Sequence, residues 1–244
     1  MNKKLNILGV NVNTYNMAEA TDFLVSALDK DSMTKVYTPN SEIILHAYKN
    51  ESYKDVLSRG DLITPDGIGV VYASKILGYP LPERVSGFDL ANELLRASAP
   101  LGKTLYLFGG KPGIAEKASE KITSLYPGIK VVGTADGYFD EEKEKKIIAD
   151  INEKSPDILF VCLGFPKQEI WIDKNRDLSA KVAMGIGGTL DVFAGEVKRA
   201  PEFFQKSGLE WFYRLMKQPS RFIRMLALPK FALTVICNGK KFLK

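Results

Sequence analysis

Short apolar runs alternate along most of the chain with longer segments in which apolar residues recur at helical spacing. Buried strands are typically short apolar runs, whereas amphipathic helices repeat apolar positions every three or four residues. The runs that predict strands are residues 5–12 (a strand with a turn), 35–38, 62–63, 104–108, 130–134, 158–163 and 182–184. This alternation predicts an α/β, Rossmann-like fold with a mostly parallel sheet, helices on both faces and a C-terminal helical appendage.

Turns that contain glycine, proline, asparagine or aspartate follow most of the predicted strands. Residues 158–163 show no polar alternation, which is typical of a strand buried on both faces. In open α/β sheets the ligand crevice lies at the carboxyl ends of the strands. We therefore expect the residues of these turns to supply the functional site.

The turn at residues 64–69 joins one predicted strand to a helix and carries Asp66. Pro65 fixes one turn angle, and Gly67 and Gly69 allow backbone conformations that other residues avoid. A partly sheltered carboxylate here can act as a general base. Because Asp is also among the best helix N-cap residues, Asp66 could instead cap the next helix, and the two roles are compatible.

Two glycine turns follow predicted strands and precede helices, one at Gly109 and Gly110 and one around Gly187. Each predicts either a phosphate-binding loop or a tight turn. The first is neither a Walker A loop nor a Gly-x-Gly-x-x-Gly motif. Lys167 and Gln168 begin another helix at the crevice, where the Gln168 amide suits sugar hydroxyls or phosphate oxygens.

Arg84 lies in a loop with proline and glycine and could bind a diphosphate through both ends of its guanidinium. His46 is the only histidine, and we interpret it as a packing or surface residue. The only acidic pair of Asp-x-Asp type, Asp29 and Asp31, falls at the end of a predicted helix, so we expect no metal site there.

The charge distribution divides the chain at residue 198. Residues 198–244 contain 11 Lys and Arg against two acidic residues, whereas residues 1–197 contain 23 against 27. A basic block indicates an anionic partner, and abundant aromatic and apolar residues favour a membrane surface over nucleic acid. We expect a core at 1–197 and a membrane-associating appendage at 198–244, the alternative being a helical layer packed on the core.

Four basic residues of the appendage, Arg214, Lys217, Arg221 and Arg224, would share one face of a continuous helix. Pro219 and Pro229 interrupt that segment, so two or three short helices are expected. The chain lacks the apolar region of a signal peptide and a run of about 20 apolar residues that could span a bilayer. Two distant cysteines fit a reducing cytoplasm.

Taken together, the motifs of the turns resemble those of the WecG/TagA/CpsF family of bacterial inverting glycosyltransferases. In order along the chain, the resemblance is carried by Thr38-Pro39-Asn40, Thr64-Pro65-Asp66-Gly67, Arg84-Val85-Ser86-Gly87, Phe108-Gly109-Gly110, Gly164-Phe165-Pro166-Lys167-Gln168-Glu169, and Gly185-Ile186-Gly187-Gly188 through Arg199-Ala200-Pro201. These motifs cover most of the chain. Each is weak alone, and the set is specific.

The resemblance implies transfer of N-acetylmannosamine from its UDP form to the 4-hydroxyl of N-acetylglucosamine on undecaprenyl diphosphate, in wall teichoic acid synthesis. It implies an enzyme without metal or other cofactor, bound peripherally to the inner face of the plasma membrane. Oligomers in solution are also implied, because they can bury the appendage.

The resemblance also assigns roles to individual residues. Asp66 is implied to be the general base, with Thr38, Asn40 and Gln168 positioning the sugars and Arg84 binding a diphosphate. The UDP-sugar is assigned to Gly109, Gly110, Lys167, Gly187 and Asp191. The basic residues of the appendage, Arg214, Lys217, Arg221 and Arg224, are assigned to the lipid diphosphate and the membrane.

Two alternatives remain at this point. A nicotinamide-dependent oxidoreductase would use Gly109 and Gly110 as the pyrophosphate turn and Asp136 as the ribose ligand, although the third glycine is missing. A non-catalytic adaptor would use only the basic appendage to hold membranes or acidic partners. The donor sugar and the oligomeric state do not follow from the sequence.

Overall fold

The computed structural model describes residues 4–217, 219 and 222–243. Its main feature is a six-stranded parallel sheet with the strand order β4-β3-β8-β7-β5-β6. The strands of this sheet are β3 (Thr34–Tyr37), β4 (Leu62–Ile63), β5 (Thr104–Gly109), β6 (Lys130–Ala135), β7 (Ile158–Cys162) and β8 (Val182–Gly185). The predicted α/β architecture is therefore confirmed.

The predicted first strand is wrong in one respect. Residues 4–13 form an antiparallel hairpin of β1 (Lys4–Ile7) and β2 (Val10–Asn13), separate from the parallel sheet. Leu8 and Gly9 turn the chain with positive φ angles of 53° and 93°. The turn predicted within residues 5–12 is present, but it joins two short paired strands instead of lying in a single strand.

Helices follow the strands with few exceptions. Those of the core are α1 (Met17–Ala27), α2 (Ser41–Lys49), α3 (Glu51–Ser58), α4 (Ile68–Ile76), α5 (Gly87–Ser98), α6 (Ile114–Leu125), α7 (Glu141–Lys154), α8 (Lys167–Lys174) and α9 (Thr189–Phe193). A capping box begins α1: Asn16 accepts from the Glu19 amide at 2.8 Å, and Glu19 accepts from the Asn16 amide at 3.0 Å. Asp140 caps α7 without the reciprocal bond, since its side chain accepts from the Lys143 amide at 2.8 Å.

The sheet separates two apolar clusters, one on each face. In β7, Ile158 and Phe160 contribute to one cluster, and Leu159 and Val161 contribute to the other. Since successive strand residues point to opposite faces, a strand buried on both sides shows no polar alternation. The prediction for β7 as a fully buried strand is confirmed.

The C-terminal region consists of α10 (Glu202–Lys206), α11 (Glu210–Lys217), α12 (Phe222–Met225) and α13 (Ala227–Asn238). Pro229 lies in the first turn of α13, where its missing amide proton costs no helical hydrogen bond. Phe231 and Val235 are only 2% and 1% exposed and belong to one of the core clusters. The last helix therefore closes part of the core, while other apolar side chains of the appendage, including Phe222, Leu233 and Ile236, are exposed.

No helix in the described part of the chain is long and apolar enough to cross a membrane.

Candidate active site

The turns at the carboxyl ends of the central strands come together at one edge of the sheet. The Thr38 hydroxyl after β3 donates to the carbonyl of Gly185 at the end of β8, at 3.3 Å. The Asp66 amide after β4 donates to the carbonyl of Pro39 at 3.3 Å. The Gly187 amide after β8 donates to Gln168 Oε1 at 3.0 Å. The residues predicted from four separate motifs therefore line one continuous region.

The Asp66 carboxylate is oriented towards the start of α5. Its Oδ2 accepts a hydrogen bond from the Gly87 amide at 3.3 Å. The N-cap of α4 is Gly67, with φ of 85° and no side-chain capping bond, so the interpretation of Asp66 as the cap of α4 is wrong. The N-terminus of α5 carries partial positive charge, which favours a carboxylate at this position.

Thr38 and Asn40 flank Asp66 from the turn after β3. A Cβ atom at Gly87 would lie 2.8 Å from the Thr38 hydroxyl oxygen, so α5 begins in direct contact with Thr38. Asn40 caps α2, because its Oδ1 accepts from the Ile43 amide at 3.1 Å. Both side chains are thereby held in fixed positions beside the Asp66 turn.

Arg84 connects the turn before α5 to the appendage. Its Nη1 donates to Glu210 of α11 at 3.1 Å, and its Nη2 lies 3.4 Å from Asp89 of α5. Asp89 also pairs with Arg199 at 2.6 Å. The guanidinium of Arg199 stacks over the Phe88 ring at 4.5 Å. Two arginines and two carboxylates thus form one partly buried network next to Asp66.

Gln168 is 4% exposed, and both ends of its amide have protein partners. Oε1 accepts from Gly187, and Nε2 donates to Glu169 Oε1 at 2.8 Å. The Tyr53 hydroxyl donates to the other Glu169 oxygen at 3.1 Å. Gln168 therefore ties the start of α8 to the glycine turn after β8.

Sequence reasoning did not identify Glu169 as a candidate. It is 1% exposed, and burial raises the pKa of its carboxyl group above the ordinary value, although hydrogen bonds from Gln168 and Tyr53 act in the opposite direction. The pKa values of Tyr53 and Tyr37 are raised as well, chiefly by burial. Its position next to Gln168 in the motif was the only sequence signal for Glu169. Because an acidic residue in a first helical turn is normally solvated, that signal did not indicate burial.

The glycine turn after β5 is held close to β7. A Cβ atom at Gly109, whose φ is 124°, would lie 2.4 Å from the Cys162 carbonyl oxygen. The Gly110 amide donates to that same carbonyl at 3.1 Å. Burial raises the pKa of the Cys162 thiol. Asp191 lies beside the glycine turn after β8, since a Cβ atom at Gly188 would be 3.8 Å from its Oδ2. Lys167 is exposed at the first position of α8.

The predicted basic residues of the appendage do not share one helix. Lys217 ends α11 and lies over the Tyr213 ring at 5.9 Å, whereas Arg224 lies on α12. Arg224 pairs with Glu42 of α2 through both Nε and Nη2, at 3.0 and 2.9 Å. Arg221 and the side chain of Arg214 lie outside the described residues.

His46 serves as a packing residue. Its ring makes edge contacts with Tyr53 and Phe165 at centroid distances of 5.1 and 5.0 Å. Among the described residues, no group of three or more His, Cys, Asp and Glu side chains is arranged to bind a metal ion.

The parallel sheet, its flanking helices and the polar turns at its carboxyl edge define an α/β protein with a Rossmann-like fold. Residues 5–243 match the family described as "Glycosyl transferase WecG/TagA/CpsF family". The chain belongs to this family and is a glycosyltransferase, in agreement with the resemblance in the motifs.

Relatives with assigned names are similar over most of the chain. A protein of Bacillus spizizenii is 41% identical over 90% of this chain and 86% of its own length. A protein of Bacillus subtilis is 41% identical over 92% of this chain and 88% of its own length. A protein of Staphylococcus aureus is 33% identical over 99% of this chain and 95% of its own length. All three are named N-acetylglucosaminyldiphosphoundecaprenol N-acetyl-beta-D-mannosaminyltransferase.

Proposed function

We propose that this glycosyltransferase moves N-acetylmannosamine from UDP-N-acetylmannosamine to the 4-hydroxyl of N-acetylglucosamine on undecaprenyl diphosphate, with inversion. The names of relatives at 33–41% identity supply the sugar and the acceptor. The position of Asp66 is the observation that supports its proposed role as the general base. It lies at the carboxyl edge of the sheet, contacts the start of α5 and does not cap its own helix.

In the proposed reaction Asp66 accepts the proton of the acceptor 4-hydroxyl. The acceptor oxygen attacks C1 of the donor sugar from the face opposite UDP, and the bond from C1 to the UDP oxygen breaks. UDP leaves with increased negative charge, which preorganised cations stabilise. We assign this stabilisation to Arg84 and to the arginines of the appendage.

The remaining site residues position the two substrates. Thr38 and Asn40 lie beside Asp66 and would contact the sugars. Gln168 sets the glycine turn at Gly187 against α8 and would orient the donor through that turn. Gly109, Gly110, Lys167 and Asp191 would contact the nucleotide. The appendage, residues 198–244, would bring this site to the inner face of the plasma membrane, where the lipid acceptor resides.

The test uses Asp66→Asn with a matched control at the other end of β4. Asp61 likewise accepts a backbone hydrogen bond, from the Lys35 amide at 2.8 Å, but at the amino edge of the sheet. Asp66→Asn should reduce turnover by about 100-fold or more, the range of general base catalysis, with UDP affinity retained. Asp61→Asn should retain both the turnover and the UDP affinity of the unmodified chain. Equal turnover in the two variants would contradict the role of Asp66.

The donor is tested with a panel of UDP-linked N-acetylmannosamine, N-acetylmannosaminuronic acid, N-acetylglucosamine and glucose, using a soluble short-chain acceptor. UDP-N-acetylmannosamine should give the highest kcat/KM. Because cationic side chains provide the proposed charge stabilisation, EDTA should leave the rate unchanged. Preference for another donor, or strong inhibition by EDTA, would contradict that part of the proposal.

A further inference from the structure

An apolar cavity of about 190 Å³ lies between α4 and the appendage. Its lining residues are all apolar side chains or glycine: Ile68, Gly69, Tyr72, Ala73, Ile76, Trp211, Leu228, Phe231 and Ala232. Five of these residues come from α4, and four come from α11 and α13. The cavity therefore exists only because the appendage packs against the helix that follows Asp66.

The cavity begins close to the proposed base. Ile68 is two residues beyond Asp66, so their Cα atoms are at most about 7 Å apart. From Ile68 to Ile76 the lining follows α4 for about 12 Å, at the helical rise of 1.5 Å per residue. A molecule that reacts at Asp66 can thus extend along α4 into an apolar environment.

The mouth of the cavity exposes hydrocarbon to water. Tyr72 and Ile76 are 53% and 45% exposed, although both belong to the lining. Exposed apolar surface costs roughly 25 cal/mol per Å² relative to burial, so an apolar ligand would be stabilised here. A cavity of about 150 Å³ lined by similar side chains holds one benzene ring, so this one can accept about one five-carbon isoprene unit.

We propose that this cavity binds the isoprenoid segment of the acceptor nearest to its diphosphate. The inference rests on the proposed function, because an undecaprenyl diphosphate acceptor places a hydrocarbon chain immediately beyond the sugar and the diphosphate. The sugar would lie at Asp66 and the first isoprene units along α4, with the acceptor diphosphate between them. The acceptor would then be recognised by its lipid as well as by its sugar.

Kinetics with two acceptors test the assignment. One carries geranyl diphosphate on N-acetylglucosamine, and the other carries a methyl group in place of the geranyl chain. The enzyme should prefer the geranyl acceptor by about tenfold or more in kcat/KM. This ratio corresponds to the free energy of burying about two methylene groups. Ala232→Phe fills the cavity from α13 and should bring that ratio close to one, and Ala232→Leu should reduce it less.

Leu233→Phe is the matched control, because Leu233 is the next residue of α13 and is 62% exposed. It adds similar bulk outside the cavity and should keep the geranyl preference. If Ala232→Phe folds with an unchanged melting temperature and keeps the preference, the cavity is not the isoprenoid site. If the unmodified chain transfers N-acetylmannosamine equally well to both acceptors, this inference fails and the proposed function stands.

A binding measurement separates the inference from the reaction. Trp211 lines the cavity, while the other tryptophan, Trp171, is buried elsewhere in the core. Geranyl diphosphate should change the tryptophan fluorescence of the full chain, pyrophosphate should not, and Trp211→Phe should abolish the change. A response to phosphatidylglycerol vesicles without any response to geranyl diphosphate would overturn the assignment. Loss of sugar transfer with retention of this signal would count against the proposed function only.

Discussion

The Arg84 guanidinium lies 3.1 Å from the Glu210 carboxylate, and this contact joins the loop before α5 to the first residue of α11. Both side chains are largely buried, at 20% and 13% exposure. Because we propose Arg84 as a diphosphate ligand, Glu210 occupies the donors that a diphosphate would use. If Arg84 binds the diphosphate as proposed, this pair couples the position of the appendage to the binding of substrate.

We expect Glu210→Gln to raise the affinity for UDP or for geranyl diphosphate by about three- to tenfold, since a competing charge worth about 1 kcal/mol is removed. The melting temperature should fall by about 2–4 °C, because the same contact fixes α11. Titration calorimetry at low ionic strength measures the first effect, which salt should weaken. Glu120→Gln on the exposed surface of α6 is the control. Unchanged affinity for both diphosphates would argue against Arg84 as their ligand.

Glu169→Gln should change the dependence of stability on pH. Burial raises the pKa of Glu169 in the folded chain above the unfolded value of 4.5. The folded state therefore binds this proton more tightly, and its contribution to stability is complete below about pH 4.5 and is lost as the pH rises through the folded pKa. Tyr53 and Tyr37 bring no positive charge to offset the carboxylate, because both are neutral groups with raised pKa values.

The melting temperature of Glu169→Gln relative to the unmodified chain should accordingly increase from pH 5 to pH 8. Glu51→Gln, at an exposed position that pairs with Lys54, is the control and should show no such trend. A difference that stays constant over this pH range would show that Glu169 is ionised throughout.

Much of the sheet and of its functional edge follows from local patterns. The runs at β5 and β7 have the length and apolar content of buried strands, and their turns contain the glycines that the sharp reversal requires. Parallel order then places every strand's carboxyl end at one edge, so Thr38, Asp66 and Gly187 could be predicted to meet. The hairpin of β1 and β2 was not predicted as two paired strands, because its turn has Leu8 at positive φ and lacks the Asn-Gly or Asp-Gly sequence typical of such turns.

The interaction partners of the charged residues could not be predicted from the sequence. Arg84 and Glu210 are 126 positions apart, and no periodicity connects them. The burial of Glu169 depends on Tyr53 in α3, 116 positions earlier. The interpretation of the appendage was incomplete for a similar reason. Local composition shows that the segment is basic and apolar, but it cannot show which apolar side chains contact the core.

Phe231 and Phe222 separate the two roles of the appendage. Phe231 is 2% exposed in the core cluster, and Phe222 is 59% exposed on α12. Phe231→Ala should destabilise the chain by about 3–5 kcal/mol through the cavity that it leaves. Phe222→Ala should change stability by less than about 0.5 kcal/mol but weaken binding to anionic vesicles by about tenfold, since an inserted aromatic ring is lost.

Thermal unfolding and vesicle sedimentation measure these two effects. Unchanged vesicle binding by Phe222→Ala would place the membrane contact elsewhere in the appendage. A small stability change in Phe231→Ala would mean that α13 is dispensable to the core.

Gly109 and Gly113 provide a matched pair in the turn between β5 and α6. Both have positive φ angles, of 124° and 84°, so alanine is strained at either position. A Cβ atom at Gly109 would also lie 2.4 Å from the Cys162 carbonyl oxygen, whereas one at Gly113 would meet nothing within 4 Å. Gly113→Ala should therefore lower the melting temperature by about 2–4 °C, the effect of roughly 1 kcal/mol of backbone strain.

Gly109→Ala should lower the melting temperature by at least about twice as much as Gly113→Ala, because β5 and β7 must separate locally to admit the methyl group. The same separation would displace the Gly110 amide from Cys162 and move the turn that we assign to the nucleotide. UDP affinity should therefore fall in Gly109→Ala and remain in Gly113→Ala. If Gly109→Ala lost stability but bound UDP normally, this turn would be a structural element of the sheet edge and the nucleotide would bind at the Gly187 turn instead.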